Sequence, residues 1–407
     1  MKIAVIGAGA SGLVAAIQAA WQGAAVVLFE QNTMIGRKLL VTGSGRCNIT
    51  NDAVNAEKYA CKDVSWLAEA LASFGVKDFL AMLDRIGIPV YKTSDGWYYP
   101  LSNSAHTVVG AFYNELLDAG VTLRAATHVT DIGVNQNGFT VKYKYHENND
   151  QETFDRMIIS AGGKAYPTLG SRGELFPLLA ELGHTVLEKR PALAPVIVDL
   201  AEFKVLQGMR LDVGVKLWHE DAILGHAKGN MIFTEYGLNG PAVMDISHHI
   251  SANPENKLAL TINFLEFFET EFDRLLIQKR KTNLPVRVFL EAFFPPKAAA
   301  LFTRINQIAE NTPMNLIEDK TIQRLLEKLR NTSLSVRGVR NFEYCQVTTG
   351  GIPISEVFPR TMESRIRKGL FLTGETLDVA GPCGGYNLQF AFSSGALAGM
   401  AAVAAKK

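Results

Sequence analysis

Six residues near the start of the chain, Gly7-Ala8-Gly9-Ala10-Ser11-Gly12, have the composition and spacing of a turn that holds phosphate. Gly7 permits a tight bend, Gly9 lets the backbone approach a pyrophosphate, and Gly12 lets a following helix pack closely on the preceding strand. Ala10 and Ser11 open that helix, whose unpaired N–H groups and partial positive charge would face the phosphates. Glu30, 18 residues beyond Gly12, is placed to accept hydrogen bonds from the hydroxyl pair of a ribose. An acid at this point disfavours a ribose bearing a 2′-phosphate.

Three elements must position these groups. Lys2 to Ile6 is a short apolar run suited to a strand buried on both faces of a parallel sheet. Leu13 to Gly23 is an alanine-rich helix, and Ala24 to Phe29 is a second strand that Glu30 closes. The unit predicts a Rossmann-like α/β fold around a dinucleotide. Alternating βα units would be usual for an NAD dehydrogenase, but here Gln31 to Asn51 reads as one long, basic, glycine-rich loop. Such a loop fits the middle of an extended FAD. Arg37 and Lys38 are placed to meet phosphate or a flavin carbonyl, and Gly43 and Gly45 permit close backbone approach.

From Gly36-Arg-Lys-Leu-Leu-Val-Thr-Gly-Ser-Gly-Arg-Cys-Asn-Ile-Thr-Asn51 onward the chain resembles the BaiN/YhiN-like family of FAD-dependent oxidoreductases, which includes proteins described as aminoacetone oxidases and 3-dehydro-bile-acid Δ4,6-reductases. Further matching segments are Gly96-Trp-Tyr-Tyr-Pro100, Ser160-Ala-Gly-Gly-Lys-Ala-Tyr-Pro167, Phe233-Thr-Glu-Tyr-Gly-Leu-Asn-Gly-Pro241, Val347-Thr-Thr-Gly-Gly-Ile352 and Pro359-Arg-Thr-Met-Glu-Ser364. Gly374-Glu-Thr-Leu-Asp-Val-Ala-Gly-Pro-Cys-Gly-Gly-Tyr-Asn-Leu-Gln389 completes the set. Asn239 stands where the family pattern has serine, and Thr376 where it has valine. The resemblance implies a glutathione reductase-like, FAD-binding Rossmann domain with an inserted β-barrel plus helical module. It also implies FAD contacts from Gln31, Ser44, Gly45 and Asn48, from Val129 at the adenine edge, and from Gly162, Glu375, Gly385 and Leu388.

Val129 to Gly162 reads as a β-meander returning to the sheet, with turns at Asn137-Gly138 and Asn148-Asn-Asp150. Pro191 to Pro195 marks a boundary. The expected division is a discontinuous FAD-binding domain over 1–194 and 336–407, a barrel-like subdomain over 195–264 and a helical subdomain over 265–335. Pro295-Pro296 and Asn311-Thr-Pro313 are read as helix breaks. The inserted module is expected to roof the site.

Gly369 to Glu375 reads as a buried strand, followed by Asp378, several glycines and an apolar helix opening near Tyr386 and Asn387. Asp378 is placed for ribityl hydroxyls, by similarity to flavoproteins with an acid after this strand. The helix start would aim N–H groups at the flavin N1–C2=O edge, where reduction deposits negative charge.

Lys plus Arg is 41 and Asp plus Glu is 40, so no global field favours nucleic acid or an anionic membrane. No uninterrupted apolar stretch has the length of a membrane span. Cys47, Cys61, Cys345 and Cys383 show no CxxC or zinc spacing, a usage that fits a reducing cytoplasm. Cys47 and Cys383 lie in flavin-facing segments, where a thiol relay is conceivable but small buried cysteine is the commoner case. No metal is expected: the eight histidines include no ligand pair, and His248 and His249 are read as pointing to different faces. No catalytic residue is identified, although Tyr386 or Asn48 is positioned to face substrate. The reading is flavin oxidoreduction of a small organic substrate, either reduction of an activated C=C bond with transient NAD(P)H or amine oxidation with oxygen. The first is favoured because it requires no second dinucleotide fingerprint. The rival from another class is a flavin-carrying RNA-binding or RNA-modifying protein, against which the insert's ordinary charge balance speaks.

Overall fold

A computed structural model describes residues 1–136, 138–255 and 257–404. The chain divides into two compact units, Met1–Arg190 with Phe342–Lys407, and Pro191–Asn341.

The first unit is built on five parallel strands. These are β1 (Lys2–Ile6), β2 (Ala25–Phe29), β3 (Thr122–Arg124), β4 (Arg156–Ile159) and β5 (Leu370–Leu372), in the spatial order β5-β4-β1-β2-β3. β1 lies at the centre with Ile3 to Ile6 buried, as its unbroken apolar sequence requires for a strand covered on both faces. The connection from β1 to β2 is helix α1 (Ala10–Trp21). It ends in a Schellman arrangement: Gly23 adopts φ 84°, its N–H donates to Ala20 O, and the N–H of Ala24 reaches Ala19 O.

The last long helix, α2 (Tyr386–Val403), lies against α1. Glycine makes the approach possible. A Cβ on Gly395 would sit 2.2 Å from Ser11 O, and one on Gly399 would sit 2.4 Å from Ala15 O. Two small residues four apart share one helix face, so the C-terminal stretch is locked onto the opening glycine turn. That lock is what positions the candidate site.

The meander appears as three antiparallel strands, Thr127–Asn135, Gly138–Tyr145 and Asn148–Phe154. Asn137 of the first expected turn lies outside the described residues. The second turn is not at 148–150: Asn148, Asn149 and Asp150 are paired with Tyr145, Lys144 and Tyr143. The bend falls at His146 and Glu147, with His146 at φ 51°, because a two-residue connection keeps the hydrophobic register of the strands. The expected loop over 31–51 is also partly ordered into a helix over Arg37–Val41 and a 3₁₀ turn over Thr42–Gly45. Its leucine-rich start buries Leu39.

In the second unit six strands close a barrel: Val196–Val198, Gly237–Asn239, Ala222–Phe233, Arg210–His219, Leu258–Asn263 and Thr332–Val339. The last pairs with both Leu258–Asn263 and Val196–Val198. Residues 336–339, expected to begin the return to the first unit, therefore belong to the barrel. The helices between are an excursion from it, held by an aromatic cluster in which Phe264 and Phe302 lie 5.1 Å apart. Pro296 does not merely end a helix. It begins the next, Pro296–Ile305, where its missing N–H is not needed. His248 and His249, read as pointing to different faces, bring their rings to 4.0 Å apart. Burial pulls His248 down to about 4, so the contact is between neutral rings. Among the described residues no helix is long and apolar enough to cross a membrane.

Candidate functional site

The three glycines of the opening turn answer to different demands. Gly7 holds φ 102°, and a Cβ there would come within 2.5 Å of Ser160 O. A Cβ on Gly12 would lie 1.8 Å from Gly7 O. Gly9 is different: its backbone is extended, at φ −83° and ψ −170°, and a Cβ would meet nothing within 4 Å. Neither conformation nor packing within the chain requires glycine at that position, so the space before it suits a group that binds there. Gly9 is also the N-cap of α1, which no side chain caps. Its first intrahelical bond runs from Leu13 N to Gly9 O. The N–H groups of Ala10, Ser11 and Gly12 are thus the orphan donors that every helix start presents.

Glu30 is 8% exposed and ties this turn to the loop after β2. One carboxylate oxygen accepts from Ala8 N at 2.9 Å, and the other from Asn32 N at 2.8 Å and Asn32 Nδ2 at 2.6 Å. Three of roughly four acceptor positions are used, which leaves one for a ribose hydroxyl. Gln31 donates to Gly170 O, and Arg37 donates to Asn32 Oδ1 at 2.6 Å. Lys38 pairs with Glu375 at 2.7 Å. Arg37 and Lys38 were expected to stand ready for phosphate; both are first engaged by protein partners.

The C-terminal segment returns through a set of close contacts. Glu375 accepts from Thr348 N at 3.1 Å as well as from Lys38. Thr348 Oγ accepts from Lys164 N and Ala165 N at 2.8 and 2.9 Å. Gly163 lies so tightly between them that a Cβ would be 2.6 Å from both Glu375 Oε1 and Thr348 Oγ1. The neighbouring Gly162 takes φ 75°. Asp378 accepts from Gly350 N at 2.6 Å. Val129 is buried in the meander beside a bulge.

The turn Gly43, Ser44, Gly45, Cys47 is left-handed at every one of those residues, with φ between 56° and 85°. It delivers Asn48, which is 7% exposed and whose Oδ1 has no hydrogen-bond partner. Thr50 then passes α2: a Cβ on Gly385 would be 2.8 Å from the Thr50 carbonyl carbon, and Thr50 Oγ1 donates to Gln389 at 2.6 Å.

α2 starts at Gly385, at φ 92°, with no side-chain cap. Asn387 keeps its side chain within the protein, accepting from Gly381 N and donating to Gly381 O, each at 2.8 Å. Leu388 is partly buried against the core. The backbone N–H groups of Tyr386, Asn387 and Leu388 are what this end offers a ligand. Tyr386, placed to face substrate, is 5% exposed, and its hydroxyl is engaged by Lys58 Nζ and Ala53 O. Its carbonyl accepts from Tyr59 OH at 2.8 Å. Burial pushes the Cys47 thiol up to about 11, which disfavours the thiolate that a relay would use.

Two uncapped helix starts, a cradle at Gly9, a buried acid with spare capacity and an unmatched buried carbonyl thus occur in one unit. Chemically the set can hold a dinucleotide: the α1 start for phosphate, Glu30 for a ribose, and the α2 start for an electron-rich ring edge. Asn32, Gly163 and Thr348 were not singled out from the sequence. The signal available for two of them was their place in the Gly162-Gly163 and Val347-Thr348 segments already quoted.

A model for the "HI0933-like protein Rossmann domain" family matches residues 1–401. A 3-dehydro-bile acid delta(4,6)-reductase from Clostridium scindens is 34% identical, covering 98% of both chains. A ribosomal RNA dihydrouridine synthase from Escherichia coli is 28% identical over 99% of this chain and 98% of its own. Among solved structures, a 3-ketosteroid delta1-dehydrogenase from Sterolibacterium denitrificans superposes with TM-score 0.52 at 11% identity, covering 98% of each chain. That last likeness is one of fold.

Proposed function

The chain belongs to the HI0933-like Rossmann-domain family, and on that premise we propose that it is an FAD-dependent oxidoreductase that reduces a C=C bond conjugated to a carbonyl. The observation that carries this reading is the shared chemistry in the names of two full-length relatives. A 3-keto bile acid with double bonds at positions 4 and 6 is a conjugated enone, and the uracil C5=C6 bond is conjugated to the C4 carbonyl. Reduction of either adds a hydride to the carbon β to the carbonyl and a proton to the α carbon. NAD(P)H, the proposed donor, is oxidised to NAD(P)⁺.

FAD, when bound, supplies the hydride relay. The chain's own groups bind and orient. The open space at Gly9 and the donors at the α1 start would receive the pyrophosphate, and Glu30 would receive the adenosine ribose. Asp378 and Glu375 lie on the segment assigned to the ribityl side, with Lys38 balancing the Glu375 charge. The α2 start would place fixed positive potential where reduction adds negative charge, which would favour the reduced form.

The same relatives support a second reading in which the conjugated bond belongs to uridine within RNA. The balance of 41 basic and 40 acidic residues favours a small molecule, because RNA binding draws on local excess of positive charge. Anaerobic stopped-flow mixing with NADH, NADPH, or an amine tests the donor. Rapid flavin bleaching by a nicotinamide and none by amines is expected; bleaching by amines alone would replace the proposal with an amine oxidase.

A further inference from the structure

We propose that the side-chain carbonyl of Asn48 is the acceptor for the imide N3–H of the bound flavin, and that it reads the pyrimidine edge together with the start of α2. The inference rests on the FAD reading above.

An amide oxygen buried without a partner loses its hydration and regains nothing, so such atoms are rare in folded proteins. Asn48 Oδ1 is one of them. The chain commits unusual backbone to its placement. The preceding turn carries Ser44 and Cys47 in the left-handed region at φ 57° and 62°, where non-glycine residues are uncommon. A Cβ on Gly43 would stand 3.0 Å from Asn48 N and 3.5 Å from Asn48 Cβ, so the turn closes directly onto this residue.

The surroundings state which ligand atom fits. Asn48 precedes Thr50 by two residues, a span of at most about 7 Å along the chain. Thr50 reaches Gln389 in the first turn of α2, and Gly385 closes on the Thr50 backbone. The unmatched acceptor thus belongs to the segment that meets the start of α2 and its backbone donors. A ligand that matches must present one donor flanked by acceptors. The pyrimidine edge of isoalloxazine does so, with N3–H between the C2 and C4 carbonyls. The adenine and phosphate ends of the dinucleotide carry no N–H donor between two carbonyls.

Apoprotein titrated with FAD and with 3-methyl-FAD, followed by flavin fluorescence, tests this without turnover. Wild-type protein should bind FAD about tenfold or more tightly than the methylated analogue, the ratio expected for one lost hydrogen bond. Asn48→Leu, similar in bulk but without an acceptor, should bind FAD about tenfold more weakly and bring the ratio close to one. Asn48→Asp, which keeps an acceptor, should restore discrimination. Equal wild-type binding of the two flavins overturns the assignment while leaving the FAD reading intact, as does undiminished discrimination in Asn48→Leu. Failure of wild-type apoprotein to bind FAD at all overturns both.

Discussion

Replacing Gly9 by valine separates a glycine kept for a ligand from one kept for the fold. The backbone at Gly9 is extended, a conformation that β-branched residues adopt readily, and the added Cβ meets no protein atom within 4 Å. Loss of glycine's unfolded-state freedom stabilises by about 0.4–1 kcal/mol, while a less favourable N-cap costs up to about 1 kcal/mol. Apoprotein stability should therefore change by less than about 1 kcal/mol. The cofactor is another matter, since the side chain would stand where the pyrophosphate must approach. With FAD at a thousandfold its dissociation constant, binding stabilises the wild type by about 4.1 kcal/mol. That corresponds to a rise in Tm of roughly 10 °C for a unit of this size. Gly9→Val should show no such rise. Gly12→Ala is the contrasting control: its Cβ would fall 1.8 Å from Gly7 O, so it should lose about 1–3 kcal/mol or more even without FAD. Urea unfolding and thermal scans with and without FAD measure all of this. If Gly9→Val gains the same stabilisation from FAD as the wild type, the reading of the turn is wrong.

Three further outcomes are expected. Lys38→Met leaves the mostly buried Glu375 carboxylate without its cation and should lower the stability by about 1–2 kcal/mol; an unchanged urea midpoint would contradict it. At pH 8 only about one Cys47 in a thousand is thiolate, given a thiol near 11. Native protein should accordingly resist alkylation at Cys47 while denatured protein is labelled, as peptide mass mapping will show. His248 is held neutral by burial, near 4 rather than 6.5. The unfolded chain therefore binds the extra proton between those values, and stability should fall as pH drops from about 6.5 to about 4, by up to about 3 kcal/mol, then level off. His248→Gln should flatten that limb, and an identical pH profile for the variant would refute the assignment.

The glycine turn can be read from sequence because Gly7 and Gly12 answer to demands a few residues away, one conformational and one steric. The meander strands are likewise legible from alternation, though the turn is not: Asn148-Asn-Asp150 has turn chemistry, yet strand register outranks it. Other parts depend on distant partners. Lys38 and Glu375 are 337 positions apart, and nothing local distinguishes that pairing from a phosphate contact. The contacts of Tyr386 with Lys58, Tyr59 and Ala53 are likewise invisible in its own stretch of sequence. The barrel's closing strand lies beyond a helical excursion, so its residues seemed to belong to the returning chain. The buried, unmatched oxygen of Asn48 is visible only once its neighbours are in place.

Passage of hydride from flavin to a conjugated C=C bond can be followed directly in one half-reaction. Protein holding FAD is photoreduced without oxygen and mixed with a 3-keto-4,6-diene steroid acid or with uridine-containing RNA, while flavin absorbance and product mass are followed. Rapid return of oxidised flavin is expected with one of the two, together with a product heavier by two hydrogens. Flavin that stays reduced with both and reoxidises only in air would contradict it.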